Sequence, residues 1–129
     1  LKKAPDIVLA VAALIWVITN FQTLKFNRFT HWVVNEQAAS RAYINLALSK
    51  YKNVLPNAYF LIRPPNIPFA AQNKFVVSNG LKQVKQALND QDALRVIYNN
   101  SSLNTIYAEH QEKVSIQENS PVYTIDPGI

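Results

Sequence analysis

Five side chains carry the most usable polar chemistry in this chain. Arg63 and Asn66 follow the apolar run at residues 58–62 (AYFLI), and Asn79, Lys82 and Lys85 stand at and after the start of GLKQVKQAL. A guanidinium, two ammonium groups and two amides hold a polar or anionic ligand reversibly, and Ser78, Asn79 and Gly80 add free backbone N–H groups if a helix begins there. They supply no nucleophile. The segment Glu109-His110-Gln111-Glu112 packs three metal-capable side chains into four residues, but a catalytic zinc normally takes three protein ligands and no second cluster completes the set. His31 is remote in sequence, so residues 109–112 read as a solvated turn.

Other chemistries are excluded by residue type. The chain has no cysteine, which removes disulfides, thiolate nucleophiles and Cys-based metal sites. Its two glycines, Gly80 and Gly128, cannot furnish a P-loop or a dinucleotide fingerprint, and there is no nucleophile elbow. The carboxylate pairs Asp90/Asp92 and Glu109/Glu112 lie in polar segments where nothing would perturb them. No catalytic residue, metal ligand or cofactor is assigned. Basic and aromatic residues do mix over residues 50–63, yet Tyr59 and Phe60 read as core, which argues against a nucleic-acid stacking platform. Asn99-Asn100-Ser101 and Asn100-Ser101-Ser102 fit the N-glycosylation pattern, a cheap match in an asparagine-rich chain.

The elements that position these residues begin with residues 7–24, IVLAVAALIWVITNFQTL, which contain no charged side chain. As an α-helix this run reaches about 27 Å, close to the roughly 30 Å of a bilayer's hydrocarbon core. It reads as a membrane-spanning or anchoring helix within residues 1–26, with Lys2 and Lys3 before it and Lys25 and Arg28 after. Phe21, Phe26, Phe29 and Trp32 suit an interfacial girdle. No small-x-small cleavage site follows, so an uncleaved anchor fits better than a signal peptide. The chain has no methionine, and Leu1 therefore reads as the start of a processed product or fragment.

Residues 27–129 read as one small α/β domain. A second helix is expected over residues 29–51, with Thr30 as N-cap and Phe29, Trp32, Ala39, Tyr43 and Leu46 on its apolar stripe. Residues 58–62 suit a buried strand, and RPPNIP an extended connection. A helix is expected from Gly80 to Leu88, capped by Ser78 or Asn79. ALRVIY at 93–98 reads as a strand, residues 102–108 as a short helical or extended piece, and 114–116 with 122–125 as a terminal hairpin. The sum is a mixed sheet of about four strands with two or three helices.

Charge is uneven along the chain. Residues 1–24 carry +1, residues 25–85 carry +8 and residues 86–129 carry −4, within a net charge of +5. A basic middle favours lipid headgroups or an anionic partner.

The order of segments, an apolar helix, a Trp-containing helix, LPNAYFLIRPPN, KFVVSNGLKQVKQAL and ALRVIYNN, resembles the C-terminal tail of bacterial polytopic membrane proteins of the glycosyltransferase type. The likeness covers roughly residues 7–100, and FVVSNGL at 75–81 is its sharpest piece. It implies a last membrane helix followed by a small extracytoplasmic domain that is itself non-catalytic. It also implies a lipid-linked sugar or glycan as partner; membrane lipid is expected from the apolar helix and the basic middle, other membrane subunits from the structural-subunit reading, and no nucleic acid from the lack of a stacking platform. The catalytic residues of such proteins lie between earlier membrane helices, so none transfers to this chain. Two other readings remain: a single-span structural subunit, and a soluble domain whose first helix is buried core.

Overall fold

A computed structural model of the chain describes residues 3–29 and 32–128, with side chains from residue 27 to 29 excepted. The expected cap Thr30, His31, Lys2 and the side chains of Arg28 and Phe29 lie outside the described residues. The chain divides into two compact units, residues 1–34 and 35–129.

The first unit is dominated by helix α1 (Lys3–Phe29). Leu, Ala, Ile and Val dominate its first half, Pro5 falls in the first turn where it removes no intrahelical bond, and Asp6 faces the positive end of the helix dipole. Its described side chains are exposed all round. The polar residues of its second half turn inward on their own helix: Thr19 Oγ1 donates to the Ile15 carbonyl at 2.8 Å, Asn20 Nδ2 to Trp16 at 2.8 Å and Thr23 Oγ1 to Thr19 at 2.9 Å. Each donor is thereby satisfied without solvent, which lowers the cost of placing it in lipid.

Helix α2 (Trp32–Lys50) buries a face of Ala39, Ala42, Tyr43 and Ala47. That face is narrower than the expected stripe: Trp32 is exposed and Leu46 half-buried. Three alanines let the helix lie close to its neighbours, and Tyr43 reaches further, its phenol donating to the Arg63 carbonyl at 2.8 Å. Ala39 and Ala42 pack with Ala70 and Phe75, and Phe69 bridges to Phe75 edge-on at 6.0 Å.

Strands β1 (Tyr59–Ile62), β2 (Asn104–Tyr107) and β3 (Val122–Ile125) form one sheet in the order β2-β1-β3, with both pairings parallel. Phe60 and Ile62 of the central strand are fully buried. Phe60 lies parallel-stacked on Tyr98 at 5.5 Å and tilted against Tyr123 at 5.6 Å, while Tyr51 meets it edge-on at 6.0 Å. Val84, Leu88, Leu94, Leu103 and Ile125 complete this core. Between β1 and β2 run three short helices, α3 (Ile67–Gln72), α4 (Leu81–Ala87) and α5 (Asp92–Ile97).

The α/β class holds, but the sheet differs from expectation. It has three strands and is wholly parallel. Residues 93–98 form α5 instead of a strand: only Leu94 among them is buried, Val96 is 77% exposed, and Asn99 ends the turn with φ of 47°. One buried position in six is what a single helical turn needs, whereas a strand would have buried alternate residues. The terminal hairpin is absent because residues 114–116 form no strand and β3 instead aligns with β1. RPPNIP is extended only as far as Asn66, whose Oδ1 accepts from the Phe69 amide at 2.8 Å and starts α3. Pro68 tolerates this because it falls in the first turn.

The segment FVVSNGL stays outside the sheet and is held by side-chain amides. Asn35 Oδ1 accepts from the Val76 amide at 2.7 Å while its Nδ2 donates to the Val76 carbonyl at 2.9 Å. Buried Gln83 donates to the same carbonyl at 2.7 Å and accepts from the Ser78 amide at 3.0 Å. The α4 cap is Gly80, with φ of 53° and ψ of −124°, a backbone open to glycine and strained for other residues. Neither Ser78 nor Asn79 caps with its side chain.

Candidate functional site

A sheet whose strands all run the same way brings its three exits to one edge, and open α/β sheets bind ligands outside the carboxyl ends of their strands. Here β1 leaves through Arg63, β2 through Ala108 to His110 and β3 through Asp126 to Gly128.

Arg63 ties two of these exits together. Its Nη1 donates to the Ala108 carbonyl at 3.3 Å and to that of Glu109, and its backbone N–H donates to Ile125 at 3.0 Å. Asn66 ties the third: besides capping α3, its Nδ2 donates to the Pro127 carbonyl at 3.4 Å. Asp126 is buried, and its Oδ1 accepts from the Gly128 amide at 2.8 Å while Oδ2 stands 3.4 Å from His110 Nδ1. A Cβ on Gly128 would lie 3.2 Å from Asp126 Oδ1, 3.7 Å from Asn66 Nδ2 and 3.9 Å from His110 Cε1. Glycine thus lets three polar side chains converge on one backbone turn. Burial pushes the Tyr43 phenol well above its ordinary range, with the negative charge of Asp126 and the neighbouring Tyr107 adding to the effect.

The sequence-derived site is only partly assembled. Arg63 and Asn66 share this edge, but both hold the loops in place. Lys85 projects from α4 over the ring of Tyr107 at 5.9 Å, so it borders the end of β2. Asn79 and Lys82 are exposed at the start of α4 and form no side-chain hydrogen bond or ion pair with the edge residues. Asp126 and Gly128 are not singled out by the sequence as site residues, and His110 enters there only as a possible metal ligand within residues 109–112, which read as a solvated turn. Asp126 reaches this edge because β3 pairs in parallel with β1, Ile62 opposite Ile125.

Chemically, the edge offers hydrogen bonding and one His–Asp contact at 3.4 Å. Among the described residues, no serine, threonine or tyrosine hydroxyl is bonded to His110. Among the described residues, no three His, Cys, Asp or Glu side chains gather in an arrangement that would hold a metal ion. Of the two overlapping sequons, Asn100 is engaged: its Nδ2 donates to the Leu55 carbonyl at 3.1 Å and its Oδ1 accepts from Ser102 Oγ at 2.7 Å. Asn99 is exposed. No family model, curated protein or solved structure matches the chain at a significant level.

Proposed function

We propose that this chain is the C-terminal portion of a membrane protein that handles lipid-linked sugars, anchored by α1 and carrying a non-catalytic extracytoplasmic α/β domain beside the site of transfer. The observation that carries the membrane half of this reading is α1 itself. Its stretch Lys3–Phe26 is long and apolar enough to cross a bilayer, and none of it is buried. A core helix of a soluble protein would bury one face. The bonding of Thr19, Asn20 and Thr23 back onto their own helix also suits lipid.

The non-catalytic half comes from the resemblance; at the carboxyl edge Arg63 and Asn66 are committed to loop carbonyls. The glycosyltransferase connection and the extracytoplasmic side come from the resemblance of residues 7–100.

Blotting whole membranes with an antibody against residues 35–129 tests the reading. A band several times the 14.6 kDa of this chain is expected. A native band at 14.6 kDa overturns the transferase-tail reading in favour of a small anchored subunit. Digestion of intact and opened spheroplasts then reports the side: the domain should be cut without opening the inner membrane.

A further inference from the structure

The amino ends of the three strands border a second concavity, opposite the edge described above. A cleft of about 640 Å³ opens where Tyr59 begins β1 and Asn104 begins β2, walled by Asn57 on one side and by Gln117, Asn119 and Ser120 on the segment leading into β3. Its size falls within the roughly 300–1,000 Å³ of ordinary small-ligand sites.

Its chemistry is selective. The chain has 13 Lys and Arg and 8 Asp and Glu, yet no charged residue lines the cleft. What lines it is four amides, a hydroxyl and a phenol, with apolar residues between. Asn104 is already fixed, accepting from Arg95 Nη2 at 3.3 Å and donating to the Ser102 carbonyl at 3.4 Å. The side chains of Asn57, Tyr59, Gln117, Asn119 and Ser120 form no hydrogen bond among the described residues. Asn57 and Asn119 sit in left-handed backbone, with φ of 56° and 69°, at the two turns that form the walls.

An anion would need a cation here, and a cation would need a carboxylate. An apolar ligand would leave the amides without partners once water is displaced. Each amide offers two donors and an acceptor, which pairs with a ligand that alternates donor and acceptor along its length. A pyranose does so through its hydroxyls, and its C–H face suits the apolar body of a tyrosine. We infer that this cleft binds neutral carbohydrate, with Asn57, Gln117 and Asn119 pairing to sugar hydroxyls and Tyr59 supplying the apolar contact. The inference rests on the reading of a sugar-handling membrane domain and adds where the sugar is held: the amino end of the sheet, away from Arg63 and Asn66.

The test is a titration of the full chain in lipid nanodiscs with mannotriose and, separately, maltotriose, followed by the side-chain amide resonances of Asn and Gln. At least one sugar should give saturable shifts of Asn57, Gln117 and Asn119, with a Kd on the order of 1 mM. The double variant Gln117→Ala with Asn119→Gly, which keeps the backbone of residue 119 unstrained, should weaken binding about tenfold or more. Saturable shifts centred on Asn66 and Gly128, equal binding by the double variant, or no saturable shift with either sugar overturns the site. None of those results changes the size of the native polypeptide, so the cleft and the transferase-tail reading fail separately.

Discussion

The side chain of Asn35 closes both backbone groups of Val76, accepting from its N–H at 2.7 Å and donating to its C=O at 2.9 Å. This is the pairing a neighbouring strand would make, supplied by one amide on α2. It explains how Val76 keeps both backbone groups paired although no strand lies beside it.

Replacing Asn35 by Ala removes both bonds. Since Val76 is solvent-exposed, water recovers part of the loss, and the expected destabilisation is about 1–2 kcal/mol by urea unfolding. Amide exchange at Val76 should accelerate at the same time. Unchanged exchange at Val76 would show that the segment is held by Gln83 alone.

Gly80 separates backbone strain from crowding. A Cβ there would meet nothing within 4 Å, but the φ of 53° is unfavourable for any L side chain. Gly80→Ala should therefore cost about 1–3 kcal/mol, while Lys82→Ala in the same exposed turn should stay within about 0.5 kcal/mol. Equal urea midpoints for the two variants would remove the strain argument.

Alkaline pH should unfold the domain through its buried phenols. Burial raises Tyr43, Tyr98 and Tyr107 above the ordinary value of 10.0, so the folded state keeps protons that the unfolded chain releases. The stabilisation is whole below pH 10 and declines as pH rises past it. For fully buried Tyr43 the slope is about 1.4 kcal/mol per pH unit. Urea midpoints measured from pH 8 to pH 11 should fall along this line, and Tyr43→Phe should flatten it. A parallel decline in the variant would assign the effect to other groups.

If α1 spans a membrane as proposed, a charge in its middle should weaken its insertion. Ile15→Arg is expected to disfavour insertion by about 2.5–3.5 kcal/mol, read as a shift of the protein into the supernatant on alkaline carbonate extraction. If the variant stays wholly in the pellet, α1 is not the anchor.

The long apolar helix, the Ala-rich second helix and the central strand were legible because each writes its burial into local residue order. AYFLI is a strand by composition alone, and it is one: Phe60 and Ile62 fill the core. ALRVIY has similar composition but lies in α5 and its C-cap, where Leu94 alone is fully buried while Ala93 and Tyr98 pack partly against the core. That distinction depends on which neighbours arrive, and no window of six residues contains it. Likewise, Arg63 and Asn66 were found from their place after a strand. The pairing of His110 with Asp126 escaped because it depends on β2 and β3 both running parallel to β1, a relationship set by long-range packing.

The position of β1 between two later strands also constrains the order of folding. Tyr59 finds its partners only at Asn104 on one side and Val122 on the other, and parallel pairing cannot be reached through a tight turn. During synthesis α1 is complete while β1 still has two open edges, and Phe60 stays uncovered on one side until Tyr123 arrives. A chain halted between residues 107 and 122 would present a strand with one free edge, a surface suited to pairing with another copy. The exposed edge closes only when Val122 to Ile125 align with Tyr59 to Ile62.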